Sequence, residues 1–232
     1  MSFLLGGIGD ALDLIARLDR ELLTILGTTL RVSLTSTLIA SLLSLPAGFL
    51  LAIHRFHGKQ VVLALLKTAF ALPTVVVGLF VYAFIARNAP LGGLGLLFSP
   101  AAIVIGQVLL VTPLMTALVH GVLFSSMRTS HEEALLLGAS PLAAFWKTLL
   151  EARAGIATAV VLGFGRVVSE IGISLVLGGN IRGLTRTMTT AIALETGQGR
   201  FPEAVALGIV LLLIVLGINL GVQLVESRSG AL

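Results

Sequence analysis

The chain has 232 residues, of which 56% are hydrophobic and 11% charged, and its mean hydropathy is +1.07. A soluble domain typically carries about 25% charged residues, so this composition excludes a soluble globular fold and places the chain in a bilayer. The formal net charge of +4 is spread thinly, with no basic stripe for nucleic acid. The absence of cysteine excludes disulfides, thiolate catalysis and cysteine-based metal sites.

The first 29 residues carry no cleavable signal pattern and read as an interfacial segment. Asp10, Asp13, Arg17, Asp19, Arg20 and Glu21 interleave with Leu12, Leu14, Ile15, Leu18, Leu22 and Leu23. That spacing puts an apolar stripe on one helical face and predicts a helix lying on the membrane surface.

From there to residue 228 the pattern is that of an all-α transmembrane domain. Crossing a bilayer takes about 20 predominantly apolar residues. Five stretches meet that length: 30–53, 61–86, 101–123, 154–177 and 204–225. Pro46, Pro73 and Pro113 fall inside the first three, where proline removes a helical hydrogen bond and bends the helix. The loop at 54–60 is short and basic. His54 and His57 sit in it without a third ligand nearby, which fits a hydrated interfacial loop better than a metal site. The third span contains Gln107, Thr112, Thr116 and His120.

Residues 128–152 are too polar to span and too patterned for a linker. Ser130 can cap a helix start, with Glu133 completing a capping box. Gly138 suits the left-handed residue that closes a helix. Ser140 can cap a second helix with Pro141 at its first position. The expected form is helix, sharp turn, helix: a rigid elbow able to pass force from a soluble partner into the membrane.

The fourth span holds Arg166, Ser169 and Glu170. A charge in hydrocarbon costs at least about 2.5–3.5 kcal/mol on insertion scales. Arg166 and Glu170 are four residues apart, so they share a helical face and can pair. Two readings stand side by side: a structural clamp between helices, or a lining or gating element of a pathway. In the polar loop at 178–202, Arg182 and Arg186 are again four apart, among Thr185, Thr187, Thr189 and Thr190. Arginine with hydroxyl donors suits an oxyanion. The rival reading pairs these arginines with lipid headgroups or with acidic residues of a docking partner. In the last span Gly217 and Gly221 form a GxxxG pair suited to close helix contact.

Five spans put the termini on opposite sides. Arg55 and Lys59 in one loop, and Arg128, Lys147 and Arg153 around the elbow, place both loops and the C-terminus in the cytoplasm by the positive-inside rule. Arg87, Arg182, Arg186 and Arg200 then lie outside. No phosphate-binding GxxxxGK[ST] occurs, no HExxH motif and no clustered catalytic pair, so energy for any pumping comes from another chain.

The stretch EEALLLGASPLAAFWKTLLEARAGI, 132–156, resembles the EAA loop of type I ABC importer permeases. Matched by spacing, Glu132 takes the Glu position and Gly138 the Gly position. Ala134 matches the second Ala, whereas Glu133 stands at the first, and Glu151 stands where proline is usual. Ala139, Ser140 and Pro141 complete the turn. Within this family the chain is most similar to the tungstate permeases, through KTAFALPTVVVGLFVY (67–82), GRVVSEIGISLVLGGNIRGLTRTMTTAIALE (165–195) and GQGRFPEA (197–204).

The resemblance implies a transport subunit rather than an enzyme, in a bacterial or archaeal cell (inner) membrane, with a cytoplasmic coupling helix. It implies no catalytic or metal site and no cofactor in this chain. An ABC ATPase subunit carries ATP and Mg, an external substrate-binding protein delivers solute, and the permease works as a homodimer embedded in lipid. The cargo implied is an oxyanion, tungstate, moved by alternating access. A permease for molybdate, sulfate or another small solute remains open. So does a different class, an ATP-independent secondary transporter or channel.

Overall fold

The structure, a computed structural model, describes Gly9, residues 20–127 and residues 132–229. The described residues are helical, without strands. In chain order the helices are α1 (Arg20–Ile53), α2 (Lys59–Thr68), α3 (Thr74–Ile85), α4 (Pro100–Ser126), α5 (Glu132–Leu136), α6 (Pro141–Val168), α7 (Gly172–Gly178), α8 (Met188–Gly197) and α9 (Phe201–Ser229). Of these α1, α4, α6 and α9 are long and apolar enough to cross a membrane. The amphipathic stretch expected at the N-terminus lies largely outside the described residues, and the span expected from residue 30 belongs to a helix already formed at Arg20.

Two expected spans prove to be broken. The second, expected as one run over 61–86, bends by 102° between the pair Lys59–Ala71 and Thr74–Ile85. Pro73 causes the corner. It has no N–H, and it drives the preceding residue out of the helical region. Leu72 is accordingly extended, with ψ 130°, and Pro73 follows at ψ 121°. Pro46 and Pro113, by contrast, sit inside helices that continue past them. The fourth span, expected over 154–177, stops at Val168 and restarts at Gly172 as the seven-residue α7. The polar loop expected over 178–202 also contains a ten-residue helix, α8.

The chain forms two compact units. One comprises Met1–Ser36, Pro73–Gln107 and Gly165–Leu232. At its centre α7 buries Ile173 and Leu177 completely. Helix α3 packs along α7 at van der Waals distance, because Gly172 leaves room: a β-carbon there would lie 2.5 Å from Thr74 Oγ1 and 3.0 Å from the Val75 backbone nitrogen. A second cluster joins Leu22 and Ile25 of α1 to Met188 and Ala191 of α8 and Leu207 and Val210 of α9.

The other unit comprises Thr37–Leu72 and Val108–Phe164. Its core gathers Ala52, Val119, Leu123, Ala152 and Ala159, with Phe49, Leu149 and Ile156 packed around them. Phe145 meets Phe49 edge to face, ring centroids 4.8 Å apart, and so ties the start of α6 to the end of α1.

Helix α1 is arranged as a bilayer requires. Thr29, Ser33, Ser36, Ala40 and Ser44 are buried, whereas Leu34, Leu38 and Leu42 are exposed. Small residues allow close helix approach, and the leucines meet lipid or another apolar surface. Buried hydroxyls here bond back within the helix, as in Thr29 Oγ1 to the Ile25 carbonyl (2.8 Å) and Ser41 Oγ to the Thr37 carbonyl (2.7 Å), or across to Gln107 in the case of Ser36 (2.8 Å).

Gly172→Ala is expected to lower stability by about 1–3 kcal/mol, the usual cost of overpacking, because a backbone atom cannot yield as a side chain can. Gly93→Ala, with no atom within 4 Å of the added carbon, is the control. Thermal unfolding in detergent compares the two; equal melting temperatures would refute the close-packing account.

Candidate functional site

The elbow is built from the backbone upward. Helix α5 ends in two hydrogen bonds that define a Schellman turn: Gly138 N–H donates to the Leu135 carbonyl (3.0 Å), and Ala139 N–H to the Ala134 carbonyl (2.9 Å). Gly138 supplies the left-handed residue, at φ +85°. Ala134 is buried at the inner side of the turn. Ser140 Oγ then accepts from Ala143 N–H (3.2 Å), and Pro141 opens α6. Ser130 and Arg128 lie outside the described residues. The turn lifts Leu136 and Leu137 outward, 87% and 84% exposed, with Leu142, Trp146 and Leu150 exposed along the start of α6. Glu133 is exposed beside them.

The break after α6 is held by polar groups on three sides. Glu170 is deeply buried, its side chain 2% exposed, and one carboxylate oxygen accepts from Arg166 Nη1 at 2.7 Å. The other accepts from Ile173 N–H at 3.1 Å and so caps the start of α7. Its backbone carbonyl accepts from Ser174 Oγ (3.2 Å) and Thr189 Oγ1 (3.0 Å). Ser169 is exposed, and its hydroxyl donates to the Arg166 carbonyl (3.1 Å). Gln107 adds a side-chain link to the break: its Nε2 donates to the Val167 carbonyl (3.4 Å), which also accepts from Glu170 N–H (3.1 Å), while its Oε1 accepts from Ser36 Oγ (2.8 Å).

Arg182 and Arg186 bond to a different carboxylate. Both of those arginines pair with Glu21 at the start of α1, Arg182 through Nε (2.8 Å) and Nη2, Arg186 through Nη1 (3.3 Å). They border a cavity of about 550 Å³ that also has Glu195, Arg200 and Glu203 in its wall. The threonines expected to offer hydroxyls to an anion are buried and occupied. Thr185 Oγ1 donates to the Gly178 carbonyl (2.5 Å) and accepts from Ile181 N–H (3.0 Å). Thr187 and Thr190 cap α8 reciprocally. In this chain the Arg–Thr cluster fastens its own loop, with Glu21 as the acidic partner of both arginines.

Sequence reading missed Glu21, which is remote in the chain, and the Gln107 link. It also missed α8, whose capping box uses Thr190 where glutamate or glutamine is the usual signal.

The family model described as binding-protein-dependent transport system inner membrane component matches residues 44–230. This chain belongs to that family. The permease is 37% identical over 221 residues to the tungstate uptake system permease protein TupB of Peptoclostridium acidaminophilum, covering 94% of this chain and 96% of that one. It is also 37% identical to TupB of Campylobacter jejuni, covering 94% and 92%. Molybdenum and sulfate transport system permeases match at 30% identity. In fold it resembles a solved bacterial ABC transporter involved in the import of the acidic polysaccharide alginate, with TM-score 0.70 at 18% identity, covering 90% of this chain and 80% of that one. The permease is thus a multi-pass inner-membrane transport subunit with the ABC importer fold.

Gln107→Leu strands the buried Ser36 hydroxyl and removes the second of two donors to the Val167 carbonyl, which keeps Glu170 N–H. The expected loss is about 1–3 kcal/mol, the cost of an unsatisfied buried polar group, read as a lowered unfolding midpoint in detergent. An unchanged midpoint would mean that the link carries no stability.

Proposed function

We propose that this permease imports tungstate, driven by ATP hydrolysed on a separate ABC ATPase subunit. The observation that carries the reading is likeness to two tungstate uptake permeases over nearly the full length of both chains. The elbow supports the ATP-driven half of it. Two leucines almost fully exposed at the apex of a rigid turn, outside the apolar spans, fit a groove on a soluble partner. That partner holds ATP and Mg; this chain has no phosphate loop.

In this reading the elbow, Glu132 to Pro141, faces the cytoplasm. ATP draws two ATPase subunits together, each moves an elbow, and the spans switch from an inward to an outward opening. An external binding protein then releases its oxyanion into the pathway, and hydrolysis resets the cycle. Two permeases enclose that pathway. The exposed glycines Gly217 and Gly221 of α9, with no atom within 4 Å of an added β-carbon, leave a face where a second copy can approach closely. Molybdate is the second reading, favoured by the molybdenum permeases among the relatives.

Reconstitution with the ATPase and binding protein in proteoliposomes tests this. Tungsten and molybdenum inside are measured at matched, low external concentrations. ATP-dependent tungsten uptake that excess molybdate barely competes is the expected result. Uptake without that preference would discard the tungstate assignment, and uptake that persists without the ATPase would overturn the ATP-driven mechanism.

Gly138→Leu places a β-carbon at φ +85°, where an L-residue pays about 1–2 kcal/mol. The variant is expected to insert normally but to lose coupling between ATP hydrolysis and uptake. Transport at the wild-type rate per ATP hydrolysed would rule out the elbow as the coupling element.

A further inference from the structure

Arg166 stands where a cation is costly. Counted from Arg153, at the start of the fourth apolar stretch, it lies about 20 Å along α6 at the helical rise, which is more than half of a hydrocarbon layer about 30 Å thick. Yet its side chain is 32% exposed in this chain. Among the described residues its Nη1 bonds Glu170, and none of its other guanidinium nitrogens is both buried and unpaired. Its remaining donors therefore lie open at the surface of the chain, at a depth where lipid cannot satisfy them.

The surroundings of Arg166 are those of a pathway rather than of a lipid face. Two spans are broken, one at Leu72–Pro73 and one at 169–171, and their second halves, α3 and α7, start side by side where Thr74 meets Gly172. Interrupted helices within a membrane are tolerated where they are buried in protein or border water, and paired interruptions point to the place where solute passes. Ser169, at the second break, is exposed as well.

We propose that Arg166 is the residue in the membrane that contacts the permeating oxyanion, and that Glu170 is its positioning residue. This rests on the oxyanion-import reading above and assigns that reading its contact within the spans. A guanidinium offers paired N–H donors matched to tetrahedral oxyanions. Glu170 fixes one edge of that group and balances its charge in the apo state. It also weakens the site, so that the anion enters without being trapped, as conduction requires. Ser169 is not a ligand while its hydroxyl is donated to the Arg166 carbonyl.

The experiment uses the full complex of permease, ATPase and binding protein in proteoliposomes, with tungstate as the probe. Arg166→Gln is expected to lower the maximal ATP-driven uptake about tenfold to a hundredfold, the loss of one charge-assisted contact, and Arg166→Lys to retain part of it. The double variant Arg166→Gln/Glu170→Gln keeps an amide pair without charge. If Arg166 contacts the anion, uptake stays low; recovery to wild type would mean a structural clamp and overturn the proposal. Because the chain has no cysteine, Ser169→Cys gives a single reactive site. A water-soluble anionic methanethiosulfonate is expected to label it, and tungstate to slow the labelling. No labelling, or labelling indifferent to tungstate, would overturn the proposal even if Arg166→Gln failed to assemble. A wild-type complex that imports no oxyanion would instead refute the function proposed above, and wild-type import unchanged by Arg166→Gln would refute only the present assignment.

Discussion

Hydrocarbon offers no hydrogen bonds, so every backbone group freed by a broken membrane helix must find a partner inside the protein. The fold of this permease depends on how it meets that demand at residues 169–171. Glu170 serves the break three times: its carboxylate caps α7 and holds Arg166, and its carbonyl takes two hydroxyls. Gln107 takes up the last turn of α6 and passes its remaining acceptor to Ser36. Remove either and a buried polar group is stranded. This polar framework holds α7 where Ile173 and Leu177 are fully buried against its neighbours.

The same demand explains the segment after α7. A polar stretch rich in threonine and arginine would be unremarkable as a loose surface loop. Here its threonines and Met188 are buried: Met188 N–H donates to Thr29 Oγ1 of α1 (2.8 Å), and Thr189 reaches the Glu170 carbonyl. Glu21 then closes the seam with Arg182 and Arg186. Exposed ion pairs add little individually, so the buried hydroxyl bonds hold the segment and the arginines finish its rim.

Much of this was legible in the sequence, for local reasons. Apolar length identified the spans because bilayer thickness sets a physical scale. The elbow could be read because Gly138, Ser140 and Pro141 each have a conformational preference that acts within a few residues. What escaped was non-local. A run from residue 154 to 177 looks like one helix because nothing in its hydropathy records that Glu170 will bond to Ile173 rather than remain in the ladder. Pro73 was visible, but whether a proline bends a span or ends it depends on context: Pro46 and Pro113 are carried within helices and Pro73 is not. The pairing of Arg182 and Arg186 with Glu21 was not legible because no spacing rule links residues so far apart in the chain.

One consequence follows from the continuity of α6. Its 28 residues run without interruption from Pro141 at the elbow to Val168 at the break, about 42 Å at the helical rise. A helix is stiff along its axis, so compliance is concentrated at the two joints, the glycine turn at one end and the charge-pinned interruption at the other. Displacement applied at the first joint would arrive at the second without an intervening loop to absorb it.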